Sequence, residues 1–173
     1  MKKCWMILGL ALLLTGCGSQ PTFETVADVC DQQVSAEPQQ ILVDLPTNAQ
    51  VPTLQSEDAG TIYFCDDLTI SVQTLDGGDL DRTVQTATGY SKDALRLMQS
   101  YAPEGKCYEC AFITAGEGQM QVGRTRIIDD GSYHYVVTVL VPEEKAGQMQ
   151  EQVQPVLDSF RVVDADFSIN TGS

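Results

Sequence analysis

Three β-rich runs in the second half of the chain, joined by two short glycine-containing turns, restrict the fold more than any other feature of the sequence. The runs occupy residues 107–115, 119–128 and 132–141. Connections this short join antiparallel strands, because a parallel pair needs a crossover of a dozen or more residues. Both alternating sets of side chains in the third run are largely apolar, which predicts a central strand that is covered on both faces.

An amphipathic helix is predicted directly after the third run. Pro142 suits the first helical position, and Glu143 and Glu144 are favourable in the first turn. Pro155 falls inside the pattern and predicts a kink or an interruption. Residues 160–163 then predict a short closing strand. The apolar stripe of the helix consists of Ala146, Met149, Val153, Val156, Leu157 and Phe160.

Shorter elements are predicted between residues 25 and 101. Asp79 is a suitable N-cap for a helix that Gly89 would end. Residues 91–101 allow either a second helical turn or the start of a strand. The remaining predictions are a helix at 25–34, strands at 40–45, 61–65 and 68–75, and a loop at 48–60.

The order of the C-terminal elements resembles a known fold. A three-stranded meander followed by a helix that ends in Asp158-Ser159-Phe160-Arg161 is similar to the C-terminal half of the PsbP-like fold, which recurs in small bacterial lipoproteins. Over residues 62–163 the resemblance implies an α+β fold, with an antiparallel sheet of about five to seven strands flanked by helices. No functional residue is carried over from the resemblance. A cystatin-like α+β roll is the alternative fold.

The first seventeen residues have the composition of a bacterial export signal. Lys2 and Lys3 precede an uncharged apolar run at 5–14, which is about half the length that a membrane-spanning helix needs. Leu14-Thr15-Gly16-Cys17 resembles the lipobox of bacterial lipoproteins. The resemblance implies cleavage before Cys17, lipid on its thiol, and a location on the extracytoplasmic face of the cell envelope. Whether the host has one membrane or two stays open.

These features predict four segments. Residues 1–16 are the signal peptide, and residues 17–39 are a lipidated tether with a short helix. Residues 40–163 are a single α+β domain, which is an ordinary length for one domain. Residues 164–173 are a loosely held tail.

The charge of the chain excludes one class of partner. The formal net charge is −14 at pH 7, and it becomes more negative when Lys2 and Lys3 are removed with the leader. Such a surface repels nucleic acid. The expected partners are therefore the membrane, through the lipid anchor, and an unidentified protein or small molecule.

Four cysteines remain once Cys4 is removed and Cys17 is lipidated: Cys30, Cys65, Cys107 and Cys110. An even number in an exported chain predicts disulfides, and four cysteines allow three connectivities. The sequence does not choose among them.

Cys107 and Cys110 also form a C-x-x-C motif, which is typical of thiol–disulfide oxidoreductases. A redox pair needs its first thiolate at a helix N-terminus, where the pKa of the thiol falls. Here the motif opens a predicted strand and contains Glu109, whose charge raises the thiol pKa. A structural role is therefore favoured over redox catalysis and over metal binding.

Two further candidates have ordinary structural explanations. His134, the only histidine, lies mid-strand among apolar residues and is predicted to be structural. Asp76, Asp79 and Asp81 could bind calcium through oxygen ligands, but their spacing is not that of an EF-hand. The preferred interpretation is a turn followed by an N-cap.

The sequence therefore predicts a lipid-anchored, non-enzymatic binding or envelope-accessory protein, with no catalytic residue, no cofactor and no metal. Two alternatives are an extracytoplasmic thiol–disulfide oxidoreductase using Cys107 and Cys110, and a calcium-dependent binding module using Asp76, Asp79 and Asp81.

Overall fold

Antiparallel strand pairing organises the fold. The computed structural model describes residues 37–50, 60–116 and 118–164, and within them the strands form one six-stranded and one two-stranded sheet. The strands are β1 Gln40–Leu42, β2 Thr61–Cys65, β3 Leu68–Asp76, β4 Met98–Ala102, β5 Gly105–Gly116, β6 Gln119–Asp129, β7 Tyr133–Pro142 and β8 Arg161–Val163. The large sheet has the order β2-β3-β7-β6-β5-β4, and β1 pairs with β8.

Two helices cover opposite faces of the large sheet. They are α1 Leu80–Thr88 and α2 Ala146–Ser159, and short 3-10 turns occupy Lys92–Ala94 and Glu143–Lys145. On β7, Val137 and Val139 share a core with α2, whereas Val136 on the other face packs with Val84 of α1. The prediction that this strand is buried on both faces is confirmed.

The larger core lies between the sheet and α2, and we call this side of the sheet the α2 face. Four residues of α2 (Met149, Val153, Val156 and Leu157) pack with Ile70 and the valines of β7. The two-stranded sheet adds to the same core through Val162, and Phe160 packs between α2 and β8. The opposite α1 face holds a smaller cluster around Val84, Ile127 and Val136.

The caps predicted for α1 are confirmed. The Asp79 carboxylate accepts a hydrogen bond from the Arg82 backbone N–H at 3.0 Å. Gly89 ends the helix with a φ of 80°, a left-handed conformation that favours glycine.

Of the two outcomes predicted for Pro155, a kink or an interruption of the second helix, the interruption does not occur. α2 continues through Pro155 over its 14 residues. Proline removes one N–H donor, and the carbonyl that would receive it belongs to Glu151, one turn earlier. Glu151 and Pro155 are both exposed, so water can satisfy that carbonyl while the buried side of the helix holds the backbone in place.

The structure also decides residues 91–101, which form a 3-10 turn and then β4. The α+β prediction, an antiparallel sheet flanked by helices, is confirmed. In the described ranges, no helix combines the length and apolar character that crossing a bilayer requires. The predicted signal peptide, tether and helix at 25–34 lie outside the described residues, as does the tail from residue 165.

Gly123 is required by its cross-strand partner. It pairs with Phe112 of β5, and a Cβ added at Gly123 would overlap the phenyl ring. We expect Gly123→Ala to lower the free energy of unfolding by about 1–3 kcal/mol because the ring must move. In the Phe112→Ala background the same change should cost less. Urea unfolding followed by circular dichroism measures both.

Gly147→Ala is the matched control, because nothing lies within 4 Å of an added Cβ at this helical position. It should leave stability unchanged or raise it by up to about 1 kcal/mol. An equal cost of Gly123→Ala with and without the Phe112 ring would contradict the explanation.

Candidate functional site

A groove of about 330 Å³ lies between α2 and strands β6 and β7. This volume is at the lower end of the range for small-molecule sites, which is about 300–1,000 Å³. The lining residues are Val122, Arg124, Val139, Val141, Ala146, Gln150, Val153 and Gln154. The groove therefore combines an apolar floor with a small number of polar groups.

The groove has one wall formed by strands and one formed by a helix. Each is lined by side chains that repeat at the period of its element, two residues in a strand and three to four in a helix. Val122 and Arg124 are two residues apart on β6, and they pair with Val141 and Val139 of β7, so all four project from the α2 face. The helical wall consists of residues 146, 150, 153 and 154, a spacing that places side chains on one side of a helix. The strand register alone thus brings an arginine into a row of valines.

The groove stays open because the side chains near the start of α2 are short. Ala146 is the first residue of the helix, whereas Leu157 and Phe160 fill the space at the other end. Ile113 on β5 pairs with Val122 and is 45% exposed. The apolar floor therefore continues past the helix onto the neighbouring strand.

Arg124 forms the polar end of the groove, and its orientation is fixed by a chain of hydrogen bonds. Its Nη1 donates to Gln154 Oε1 at 2.7 Å, and Gln154 Nε2 donates to Asp158 Oδ1 at 2.8 Å. Its Nη2 lies 3.9 Å from Glu109 Oε2, and the side chain is 28% exposed. A guanidinium has five N–H donors, so most of those of Arg124 are left for a bound molecule or water.

Arg126 engages the carboxylates around Arg124. Its Nε donates to Glu109 Oε1 at 2.7 Å, and its Nη2 lies 2.5 Å from the same oxygen. Its Nη2 also donates to Asp158 Oδ1 at 3.1 Å, and its Nη1 donates to the Leu157 carbonyl at the end of α2. Because Glu109 is held by Arg126, it forms only the longer ion pair with Arg124.

A second ion pair fixes the other end of the helix. Lys145, immediately before α2, lies 2.7 Å from Asp67 in the β2–β3 turn. Its hydrogen bond to the Asp67 carboxylate raises the pKa of Lys145. Both ends of α2 are therefore tied to the sheet.

Solved structures share this architecture. The solution structure of cyanobacterial PsbP (CyanoP) from Synechocystis sp. PCC 6803 matches with a TM-score of 0.53 and 11% identity, over 75% of this chain and 96% of that one. The fold is PsbP-like. At this identity the likeness establishes the fold alone.

Two further structures match below a TM-score of 0.5. The Saccharomyces cerevisiae Ran-binding protein Mog1p has a TM-score of 0.47 and 15% identity over 73% of this chain and 92% of its own. LpqN of Mycobacterium tuberculosis, involved in cell envelope biogenesis, has a TM-score of 0.46 and 12% identity over 75% and 87%. No protein-family model and no curated protein matches the sequence.

Within the PsbP-like sheet, Cys107 and Cys110 are buried thiols on opposite faces of β5. Cys107 pairs with Ile128, which belongs to the larger core on the α2 face, and Cys110 pairs with Thr125. Burial is the main cause that raises the pKa of both thiols, and the Glu109 charge raises it further. For Cys107, a hydrogen bond with Ser100 and the charge of Arg126 lower the thiol pKa and so partly oppose this rise. A redox C-x-x-C requires a lowered pKa and a shared face, so this geometry does not support the oxidoreductase alternative.

Cys65 is the third buried thiol, and it lies far from the other two. It belongs to β2, four strand positions from β5, and adjacent strands are about 4.8 Å apart. A disulfide needs Cα atoms within about 7 Å of each other. No two of the described cysteines can therefore bond without rebuilding the sheet. Cys30 and the predicted lipidation site Cys17 lie outside the described residues.

His134 is buried, in agreement with a structural role, and is 2% exposed. Its Nδ1 lies 2.6 Å from Thr83 Oγ1 of α1, and its Nε2 lies 3.8 Å from Asp129 Oδ1. Burial lowers the pKa of His134, while the charges of Asp129, Asp130 and Asp79 partly oppose this shift.

The three aspartates considered for calcium lie around the start of α1. Asp79 caps the helix, and Asp81 accepts a hydrogen bond from the Lys92 backbone N–H at 2.6 Å. Asp76 ends β3 opposite Tyr133. Among the described residues, no group of three His, Cys, Asp or Glu side chains is arranged to hold a metal ion.

The residues that make the groove polar were not predicted from the sequence. Period-two alternation in β6 places Arg124 and Arg126 on the same face as Val122 and Ile128. Because charged side chains are rarely buried without a partner, two arginines on an otherwise apolar face are expected to form specific ion pairs or hydrogen bonds. That pattern was available in the sequence, but the partners on β5 and α2 are distant along the chain.

The buried state of His134 gives a prediction about pH. Because its pKa is lowered in the folded protein from the usual 6.5, the unfolded chain takes up a proton first as the pH falls. The His134 contribution to stability is therefore lost progressively below about pH 6.5, down to the folded-state pKa. We expect His134→Asn to show a smaller fall in unfolding free energy between pH 7.5 and 5.5 than the unmodified chain.

Urea unfolding at the two pH values tests this prediction. Asparagine does not titrate and places an amide near the Nδ1 position that contacts Thr83. If the unfolding free energy fell equally between the two pH values in both proteins, groups other than His134 would be the cause, and the prediction would be wrong.

Proposed function

We propose that this chain is a lipid-anchored, non-enzymatic binding protein of the bacterial cell envelope, and that the groove beneath α2 is its ligand site. The single observation that carries the binding function is the groove itself, with an apolar floor and one oriented arginine at its polar end. Sites for small molecules have this composition, in which apolar walls supply affinity and a small number of polar groups supply orientation.

The anchoring is supported by the sequence of the leader. Lys2 and Lys3, the apolar run at 5–14 and the lipobox-like residues 14–17 are arranged as in exported lipoproteins. Diacylglycerol on the Cys17 thiol supplies two acyl chains, and two chains hold a protein stably where a single chain does not. The groove would then operate at the membrane surface.

Binding is favoured over catalysis by the side chains that line the groove. In the part of the chain that the structure describes, they are four valines, one alanine, two glutamines and one arginine. None of these is a nucleophile, or a base that accepts a proton near neutral pH. The groove is suited to holding a molecule without transforming it.

Replacing Cys17 tests the anchor. With the thiol removed, Cys17→Ser should keep its leader uncut before residue 17 and should carry no lipid. Intact mass spectrometry should detect a lipid adduct only on the unmodified protein. Cleavage before residue 17 in the variant, or no adduct on the unmodified protein, would contradict the proposal.

Filling the groove tests the binding site. Gln150 lines the groove, whereas Gln148 is exposed on the same helix and lies outside it. In the Cys17→Ser background, the neutral fluorescent probe N-phenyl-1-naphthylamine should bind, and Gln150→Phe should weaken binding about ten-fold or more by occupying the space.

Gln148→Phe, the same substitution two residues away, should leave the affinity unchanged. Circular dichroism verifies that both variants fold. No saturable fluorescence, or equal affinities in the two variants, would place the ligand site elsewhere.

A further inference from the structure

We infer that the groove takes a single-chain amphiphile with a carboxylate head group, in which Arg124 binds the head and the valine floor binds the chain. The inference rests on the proposed function of the groove and adds the chemical class of its ligand.

The position of Arg124 supports an anionic head group. Among the described residues that line the groove it is the only charged one, and it lies at one end of a row of valines. Gln154 holds one of its N–H groups, and Asp158 in turn holds Gln154. A guanidinium fixed in this way binds a carboxylate through two parallel hydrogen bonds without losing further side-chain freedom.

The surrounding charges favour a monoanion over a dianion. Glu109 lies 3.9 Å from Arg124, and Asp158 is two hydrogen bonds away. The chain as a whole carries a formal charge of −14. One guanidinium next to a carboxylate can balance a single negative charge, whereas an alkyl phosphate with a charge near −2 would keep an uncompensated charge beside Glu109.

The dimensions favour one chain over two. Val139, Val141 and Val153 are each less than 5% exposed, so little of the floor is open to solvent. The volume of about 330 Å³ is near the minimum for a small-molecule site. The exposed Ile113 beside Val122 offers apolar contact to a chain that extends beyond the helix.

Three ten-carbon probes test the inference by displacing N-phenyl-1-naphthylamine from the Cys17→Ser chain at pH 7.5. Decanoate should bind more tightly than 1-decanol and decyl phosphate. In Arg124→Gln, decanoate binding should fall about ten-fold to one-hundred-fold, which is the range expected for a charge-assisted hydrogen bond. The loss should be smaller for 1-decanol and for the dye, because neither carries a negative charge for Arg124 to bind. Arg124→Lys keeps the charge but loses the planar fork, and its decanoate affinity should be intermediate.

Two further variants separate recognition from folding and from net charge. Gln154→Leu leaves Arg124 in place but removes its orienting partner, so binding should weaken several-fold for decanoate and less for 1-decanol. Arg96 is exposed, and Arg96→Gln changes the net charge equally. It should have no effect on any of the three probes.

The possible failures are distinguishable. If the dye does not bind, or if Gln150→Phe does not affect it, the proposed function is wrong. If the dye binds but decanoate shows no advantage over 1-decanol, or if Arg124→Gln leaves that advantage intact, the inference is overturned and the groove remains a binding site. Tighter binding of decyl phosphate that depends on Arg124 would overturn the choice of a carboxylate.

Discussion

Arg126 joins the sheet to the C-terminal end of α2, and the shape of the groove depends on this contact. Its guanidinium bonds Glu109 on β5, Asp158 on α2 and the Leu157 carbonyl. The helix has no basic residue in its own last turn, so Arg126 supplies the positive charge that favours a helix C-terminus. A side chain of the sheet thereby fixes where the helix ends.

The groove results from holding a helix at both ends above a sheet that it does not fill. The contacts of Arg126 fix one end, and the ion pair between Lys145 and Asp67 fixes the other. Between these points, large side chains pack the C-terminal half of α2, whereas Ala146 leaves space above Val122 and Val141. An exposed ion pair such as Lys145–Asp67 adds little stability. Its contribution is to limit how far the start of the helix can move.

The sequence predicts those parts of the fold that depend on local rules. The sequence predicted the alternation of side chains in β7 and both ends of α1, at Asp79 and Gly89. Each of these features depends on residues that are close together in the chain. The continuity of α2 through Pro155 was not predicted, because tertiary packing on Met149, Val153 and Leu157 overrides a local preference. The groove needs the register of β5, β6 and β7 and the position of α2. Both depend on tertiary contacts between distant parts of the chain, which composition and periodicity do not predict. Arg124 and Gln154 could therefore not be recognised as neighbours from the sequence.

Two arginines lie near Glu109, and the proposed binding of an anion in the groove depends on which of them holds its carboxylate. Nη2 of Arg126 lies 2.5 Å from Glu109, whereas Nη2 of Arg124 lies 3.9 Å away. If Arg126 were absent, the carboxylate would be free to turn toward Arg124 and neutralise it. Arg126 and Glu109 are partly buried, and replacing even a fully buried ion pair by apolar side chains is often neutral or stabilising, so stability alone does not account for this arrangement. By binding Glu109 more closely, Arg126 leaves the charge of Arg124 less compensated, so the same contact that places the helix also keeps this end of the groove cationic.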